Sequence, residues 1–116
     1  MKQIEIAFKD EYLDLILRGQ KSSTIRLGRR DYPSGTALLT SSHNCLRARI
    51  LRCRALRVYD LTDQDAIRDG FSSLKDLLSA LEEIYGSLDR GAEMTVVEFA
   101  LETGTEEENI KDQQVP

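Results

Sequence analysis

Gly19-Gln20-Lys21-Ser22-Ser23-Thr24-Ile25-Arg26 puts a glycine, a lysine, three hydroxyl side chains and an arginine into eight residues. The residues just before it, Asp10 to Arg18, repeat Tyr12, Leu13, Ile16 and Leu17 at helical spacing. Asp10, Glu11 and Asp14 suit the N-terminal half of a helix and Arg18 suits its C-terminal end. Gly19 is placed to stop that helix in the left-handed conformation. Thr24 to Leu27 reads as extended. The octet is therefore a helix-to-strand junction, a place where polar groups collect at the mouth of a fold. On these residues alone, a site that binds and a site that also reacts both stay open.

Working outward, Lys2 to Phe8 alternates, with Ile4, Ile6 and Phe8 on one face, and predicts a first strand. Arg29 to Gly35 is a polar loop with turn chemistry in Tyr32-Pro33-Ser34-Gly35. Thr36 to Thr40 predicts a strand and Ser41-Ser42-His43-Asn44 a turn. Leu46 to Tyr59 predicts a long strand or a pair of strands. Its phase is informative: Arg47 and Arg49 occupy odd positions, Arg52 and Arg54 even ones. Keeping all four arginines in water requires one slip near Ile50-Leu51, which predicts a β-bulge and a bend.

Thr62 to Asp69 predicts a short helix, with Thr62 as N-cap and Asp65 completing a capping box. Gly70-Phe71 breaks it. A second helix starts at Ser72 or Ser73, carries Leu74, Leu77, Leu78, Leu81, Ile84 and Tyr85 as its apolar stripe, and ends at Gly86. Met94 to Leu101 is a final strand. From Glu102 onward there are five acids, one lysine and few hydrophobes, which predicts a disordered acidic tail over 102–116 and a single domain over 1–101. The order β-α-β-β-β-α-α-β predicts an α+β fold, mainly β: a small, partly open β-barrel flanked by short helices.

The chain has 116 residues and a net charge of −4, but the charge is unevenly placed. Arg18 to Arg57 holds nine arginines and one lysine against a single acid, Asp31, while the remainder holds six bases and nineteen acids. A basic block in an acidic chain points to a local anionic partner. No apolar run approaches the roughly 18 residues of a membrane span, and Met1-Lys2-Gln3-Ile4-Glu5 lacks the core of a signal peptide. The expectation is a cytoplasmic protein without a membrane partner. Cys45 and Cys53, with the lone His43, supply at most three ligands at unsuitable spacing, so they read as structural thiols. No metal and no cofactor is implied.

Gly19-x-Lys21-x-x-Thr24-x-Arg26 after a short helix resembles the signature of the ASCH domain of the PUA-like superfamily. Gly35 after the motif loop, Asp69-Gly70-Phe71 leading into the helix that ends at Tyr85, and the strand Val96-Val97-Glu98-Phe99 extend the resemblance over roughly residues 3–101. It implies a β-barrel with a cleft beside the motif and a link to RNA. The threonine at position 24 is similar to a small branch with N4-acetylcytidine amidohydrolase activity, whose working set is a lysine, a threonine and a glutamate before the last helix. The matching residues here are Lys21, Thr24 and Asp69, the last one methylene shorter than glutamate.

Chemistry allows these roles without assigning them. Thr24 is a nucleophile if a base takes its proton, and Lys21 is that base if burial lowers its pKa. Asp69 can orient the lysine or hand a proton to a leaving amine. Arg26, two residues beyond Thr24 on a strand, points the same way and can hold a phosphate or a base carbonyl. Arg29 and Arg30 can guide an anion in. Arg47, Arg49 and Arg52, with Arg54 and Arg57 behind them, can follow a phosphate backbone. Tyr85 can line the cleft through its hydroxyl. Three functions remain open at this stage: recognition of RNA or a modified nucleoside, deacylation of N4-acetylcytidine, and binding of an acidic protein partner.

Overall fold

The structure, a computed structural model, describes residues 4–102. The expected acidic tail beyond them lies outside the described residues. In order come β1 (Ile4–Ala7), α1 (Asp10–Leu17), β2 (Ser23–Leu27), β3 (Gly35–Thr40), β4 (Cys45–Arg57), α2 (Asp63–Arg68), α3 (Leu74–Tyr85) and β5 (Glu93–Leu101). A single 3-10 turn, Val58–Asp60, ends β4 two residues earlier than the sequence suggests. The five strands make one curled half-barrel sheet in the order β1-β3-β4-β5-β2. All neighbours are antiparallel except β1 and β3, which run parallel from Ile4 opposite Ala37 to Ala7 opposite Thr40.

β5 is buried on both faces and separates two cores. Val97 and Phe99 join Ile6, Leu13, Ile16, Leu39 and Ile50 on the face that α1 covers. Met94 and Val96 join Ile25, Val58, Leu61, Ala66, Leu77 and Leu81 on the face that α2 and α3 cover. This explains why β5 reads as a near-continuous apolar run and not as an alternating one.

The predicted slip in β4 is present. Ile50 pairs with Phe99 and Arg52 with Glu98, so Leu51 is the extra residue of a bulge. Before it, the even residues Leu46, Ala48 and Ile50 enter the α1-side core. After it, Cys53 packs there and the even residue Leu56 packs on the opposite core. The arginines thus share one face of the sheet, and Arg47, Arg49 and Arg52 are exposed. Arg54 departs from the expectation. It is half-buried, because α2 covers that part of the face and supplies Asp65 as its counter-ion.

Capping fixes where the helices begin and end. Thr62 accepts from the Asp65 amide, and Asp65 accepts in return from the Thr62 amide. Ser73 caps α3 by accepting from the Asp76 amide. Ile84, placed by its spacing in the α3 stripe, is half exposed because it stands at the rim of the cleft described next.

Candidate functional site

β1 and β2 are the two edges of the sheet. The barrel is open between them, and the open seam is a cleft with a cavity of about 180 Å³. Arg26 bridges the seam: its Nη2 donates to the Ala7 carbonyl at the end of β1 at 2.8 Å. Its Nε donates to Thr24 Oγ1 at 3.1 Å, and its guanidinium lies 5.1 Å from the centre of the Phe8 ring. The sequence expects Arg26 to hold a phosphate or a base carbonyl; in the structure it lines the cleft, with Nε and Nη2 bracing the seam and positive charge directed at the Thr24 hydroxyl.

Two helix ends converge behind Thr24, and both close with the same hydrogen-bond pair. At the end of α1 the Gly19 amide donates to Ile16 and the Gln20 amide to Leu15; at the end of α2 the Gly70 amide donates to Ile67 and the Phe71 amide to Ala66. This Schellman pattern needs a left-handed residue, supplied by Gly19 at φ +81° and Gly70 at φ +96°. Lys21 follows the first glycine and Asp69 precedes the second. The Ser22 amide donates to the Arg68 carbonyl at 2.7 Å, which ties the two ends together.

The result is a buried ion pair. Lys21 Nζ donates to Asp69 Oδ1 at 2.7 Å and to the Asp69 carbonyl at 2.9 Å, with each residue 5% exposed. Burial is the larger influence on both titrations. It lowers the Lys21 pKa, opposed by the Asp69 charge and hydrogen bond and assisted by Arg26. It raises Asp69 to about 6, opposed by Lys21 and Arg26. Both shifts run toward the neutral forms, because burial disfavours each charge. The Tyr12 ring lies 5.4 Å from Lys21 Nζ, and its own hydroxyl is held up by burial and by nearby acids. The shorter carboxylate of Asp69 therefore reaches the lysine without the methylene that a glutamate would add.

Lys21, Thr24, Arg26, Asp69 and Tyr85 all line this one cleft. The remaining candidates lie elsewhere. Arg29 and Arg30 border a separate hollow with Asp31, Tyr32 and Cys53. Arg47, Arg49 and Arg52 stand on the other face of the sheet from Thr24. Arg52 pairs with Glu98 and Glu98 with Ser23, whose side chain points away from that of its neighbour Thr24. The sequence reading missed Phe8, Tyr12 and Phe71, which wall the cleft. An aromatic residue in an apolar stripe carries no mark of whether it faces core or cavity; their nearness to the polar octet, on either side of it or across from it, was the only available signal.

Chemically, the cleft offers apolar and aromatic walls for a planar ligand. It also offers a buried hydroxyl that accepts from a cation, and a lysine–carboxylate pair able to hold or release a proton. Among the described residues, no group of three His, Cys, Asp or Glu side chains is gathered for a metal ion, and no helix is long and apolar enough to cross a membrane.

No family model matches the sequence and no curated protein matches it. Solved structures do. An ASCH domain from Lactobacillus crispatus superposes with a TM-score of 0.72 at 15% identity, over 85% of this chain and 79% of that one. The hypothetical protein PH0355 gives 0.66 at 14%, over 87% of this chain and 100% of that one. Protein EF3133 from Enterococcus faecalis gives 0.64 at 12%, over 87% and 81%. The fold is of the ASCH type.

Proposed function

We propose that the seam cleft admits a modified nucleoside and hydrolyses an N-acyl bond on its base, with N4-acetylcytidine as the substrate implied by the motif's resemblance. The observation that carries this reading is the buried Lys21–Asp69 pair, 2.7 Å apart, beside the Thr24 hydroxyl in a single cleft. A buried ion pair adds little to stability compared with well-packed apolar residues. Its cost is understandable where the chemistry needs a poised proton.

In the reactive arrangement Lys21 is neutral and Asp69 holds the proton. Thr24 Oγ attacks the acyl carbon and its proton passes to Lys21. The charge developing on Oγ lies against the Arg26 guanidinium. The C–N bond breaks as Asp69 donates its proton to the departing N4 amine, leaving an acyl ester on Thr24. Water then attacks the ester carbon, giving a proton to Asp69, and Thr24 recovers its own proton from Lys21. One carboxylic acid and one amine are formed, and the protein returns to its starting state. In the resting geometry Lys21 bonds to Asp69 and makes no hydrogen bond to Thr24, so attack begins when substrate draws the lysine across.

The test is release of cytidine from N4-acetylcytidine. Thr24→Val and Lys21→Met should each abolish turnover, by at least about 10²-fold. Asp69→Glu should slow it, because the carboxylate already meets Lys21. Absence of turnover by the wild type overturns the reading, and turnover that survives Thr24→Val overturns the nucleophile.

A second reading, RNA binding, is favoured by a different observation: Arg47, Arg49 and Arg52 line one exposed face, and among the described residues Arg47 and Arg49 have no acidic partner. That face is separate from the cleft, so the two activities are independently testable.

A further inference from the structure

α2 has six residues, too few for a helix to hold itself in water. It brings little apolar surface: Ala66 is buried, while Ile67 is 53% exposed. Polar contacts add to its placement at both ends: the Ser22 amide holds the Arg68 carbonyl at the C-terminal end, and Arg54 reaches the first turn from the sheet. Arg54, from β4, donates through Nη2 to Asp65 Oδ1 at 2.5 Å and through Nε to Glu98 Oε2 at 3.3 Å. The other Asp65 oxygen accepts from the Thr62 amide and hydroxyl. One helical turn further on, the Asp65 carbonyl accepts from the Asp69 amide at 3.1 Å. A single turn thus separates the carboxylate clamped by Arg54 from the carboxylate that faces Lys21.

Arg54 does not line the cleft. Asp65 is 5% exposed and Arg54 is half-buried, so the clamp is a largely desolvated ion pair. Such pairs are poor sources of stability, and fixing one arrangement of elements is their best-attested use. The planar guanidinium suits that use, because it engages Asp65 on α2 and Glu98 on β5 at once and so sets both the rotation and the height of the helix.

We propose that Arg54 is a positioning residue for the cleft: by clamping Asp65 it seats α2 so that the Asp69 carboxylate meets Lys21 within hydrogen-bond distance. This rests on the reading of Lys21 and Asp69 as the proton-handling pair.

The decisive measurement needs no substrate. Lysine side chains labelled with 13C and 15N are titrated by NMR in the full chain, and the Lys21 signal is assigned by its loss in Lys21→Met. The charged and titratable groups around Lys21 are Asp69, Arg26 and Tyr12. In Arg54→Met, Asp69 withdraws while Lys21 stays buried, so Lys21 should lose its proton at lower pH than in the wild type. Arg54→Lys, which keeps a charge for Asp65 but loses the fork to Glu98, should recover part of the shift. If Arg54→Met does not fold, Arg54→Met/Asp65→Asn removes both charges, leaves an amide oxygen for the Thr62 cap, and carries the same expectation.

Deacylation is the second readout. Displacing a reacting group by about 1 Å costs on the order of 10²-fold, and that loss should fall on kcat with KM little changed. A folded Arg54 variant whose Lys21 titrates as in the wild type overturns the proposal. A wild type without turnover overturns the hydrolase reading, while the titration still decides the role of Arg54.

Discussion

Asp69 binds its proton more tightly in the folded chain than in the unfolded one. Between its ordinary value of 3.8 and its folded value of about 6, the native state keeps a proton that the unfolded state has released. Stability therefore falls as pH rises through that window and stays lower above it. Asp69→Asn has no such proton to keep. In urea melts from about pH 4 to pH 7, the wild type should lose about 2 kcal/mol relative to Asp69→Asn, most of it by pH 6. Parallel curves would show that burial does not dominate this carboxyl. How legible each residue was in the sequence depends on where its partner lies. Lys21, Thr24 and Arg26 fall within one octet and declare themselves together. Asp69, 48 positions from Lys21, was reachable only through the resemblance. The tie from Arg26 to the Ala7 carbonyl could not be read at all, because a backbone acceptor has no signature in side-chain identity.

Leu51 shows what a single residue does to an element. It is 57% exposed and fills no core, yet it shifts the parity of β4 between Ile50 and Arg52. Leu51→Ala should change stability by no more than about 0.5–1 kcal/mol, as for other surface positions. Deleting Leu51 removes the extra residue itself: Arg52 then follows Ile50 directly, Arg52–Glu98 and Cys53–Val97 continue the register of Ile50–Phe99, and every arginine keeps its face. We expect the deletion variant to keep a cooperative thermal transition and to lose only the local bend of the bulge. A deletion variant without a cooperative transition would show that the bend itself is needed to curl the sheet. The slip itself was legible because four arginines in two phases leave few regular solutions. Likewise the capping box made α2 legible from Thr62 and Asp65 alone. The anchor of α2 was not: Arg54 sits in a run of arginines and reads as solvated, and its counter-ions come from a helix and a strand that the sequence does not place beside it.

Across the whole molecule, element order was legible from changes of period between Lys2 and Leu101, while strand pairing was not. Nothing in Ile4–Ala7 indicates a parallel partner in Gly35–Thr40, because that choice is made by how the sheet curls and where α1 must pack. The same choice leaves the seam between β1 and β2 open and puts Thr24 on the face opposite Arg47, Arg49 and Arg52. Charge and chemistry are thereby separated, and the separation is measurable. Replacing Arg47, Arg49 and Arg52 together by glutamine should weaken binding of single-stranded RNA. It should also flatten the slope of log affinity against log salt by about two units, since each phosphate contact contributes roughly 0.7 for single strands. The same triple variant should turn over N4-acetylcytidine at the wild-type rate, because none of the three lines the cleft. Thr24→Val should do the reverse, ending turnover while leaving the salt slope intact. An unchanged slope in the triple variant would mean that the basic face meets water or a protein and not a phosphate backbone. A triple variant that lost turnover would mean that the two faces of the sheet act on one ligand, which the register across Arg52, Glu98 and Ser23 argues against.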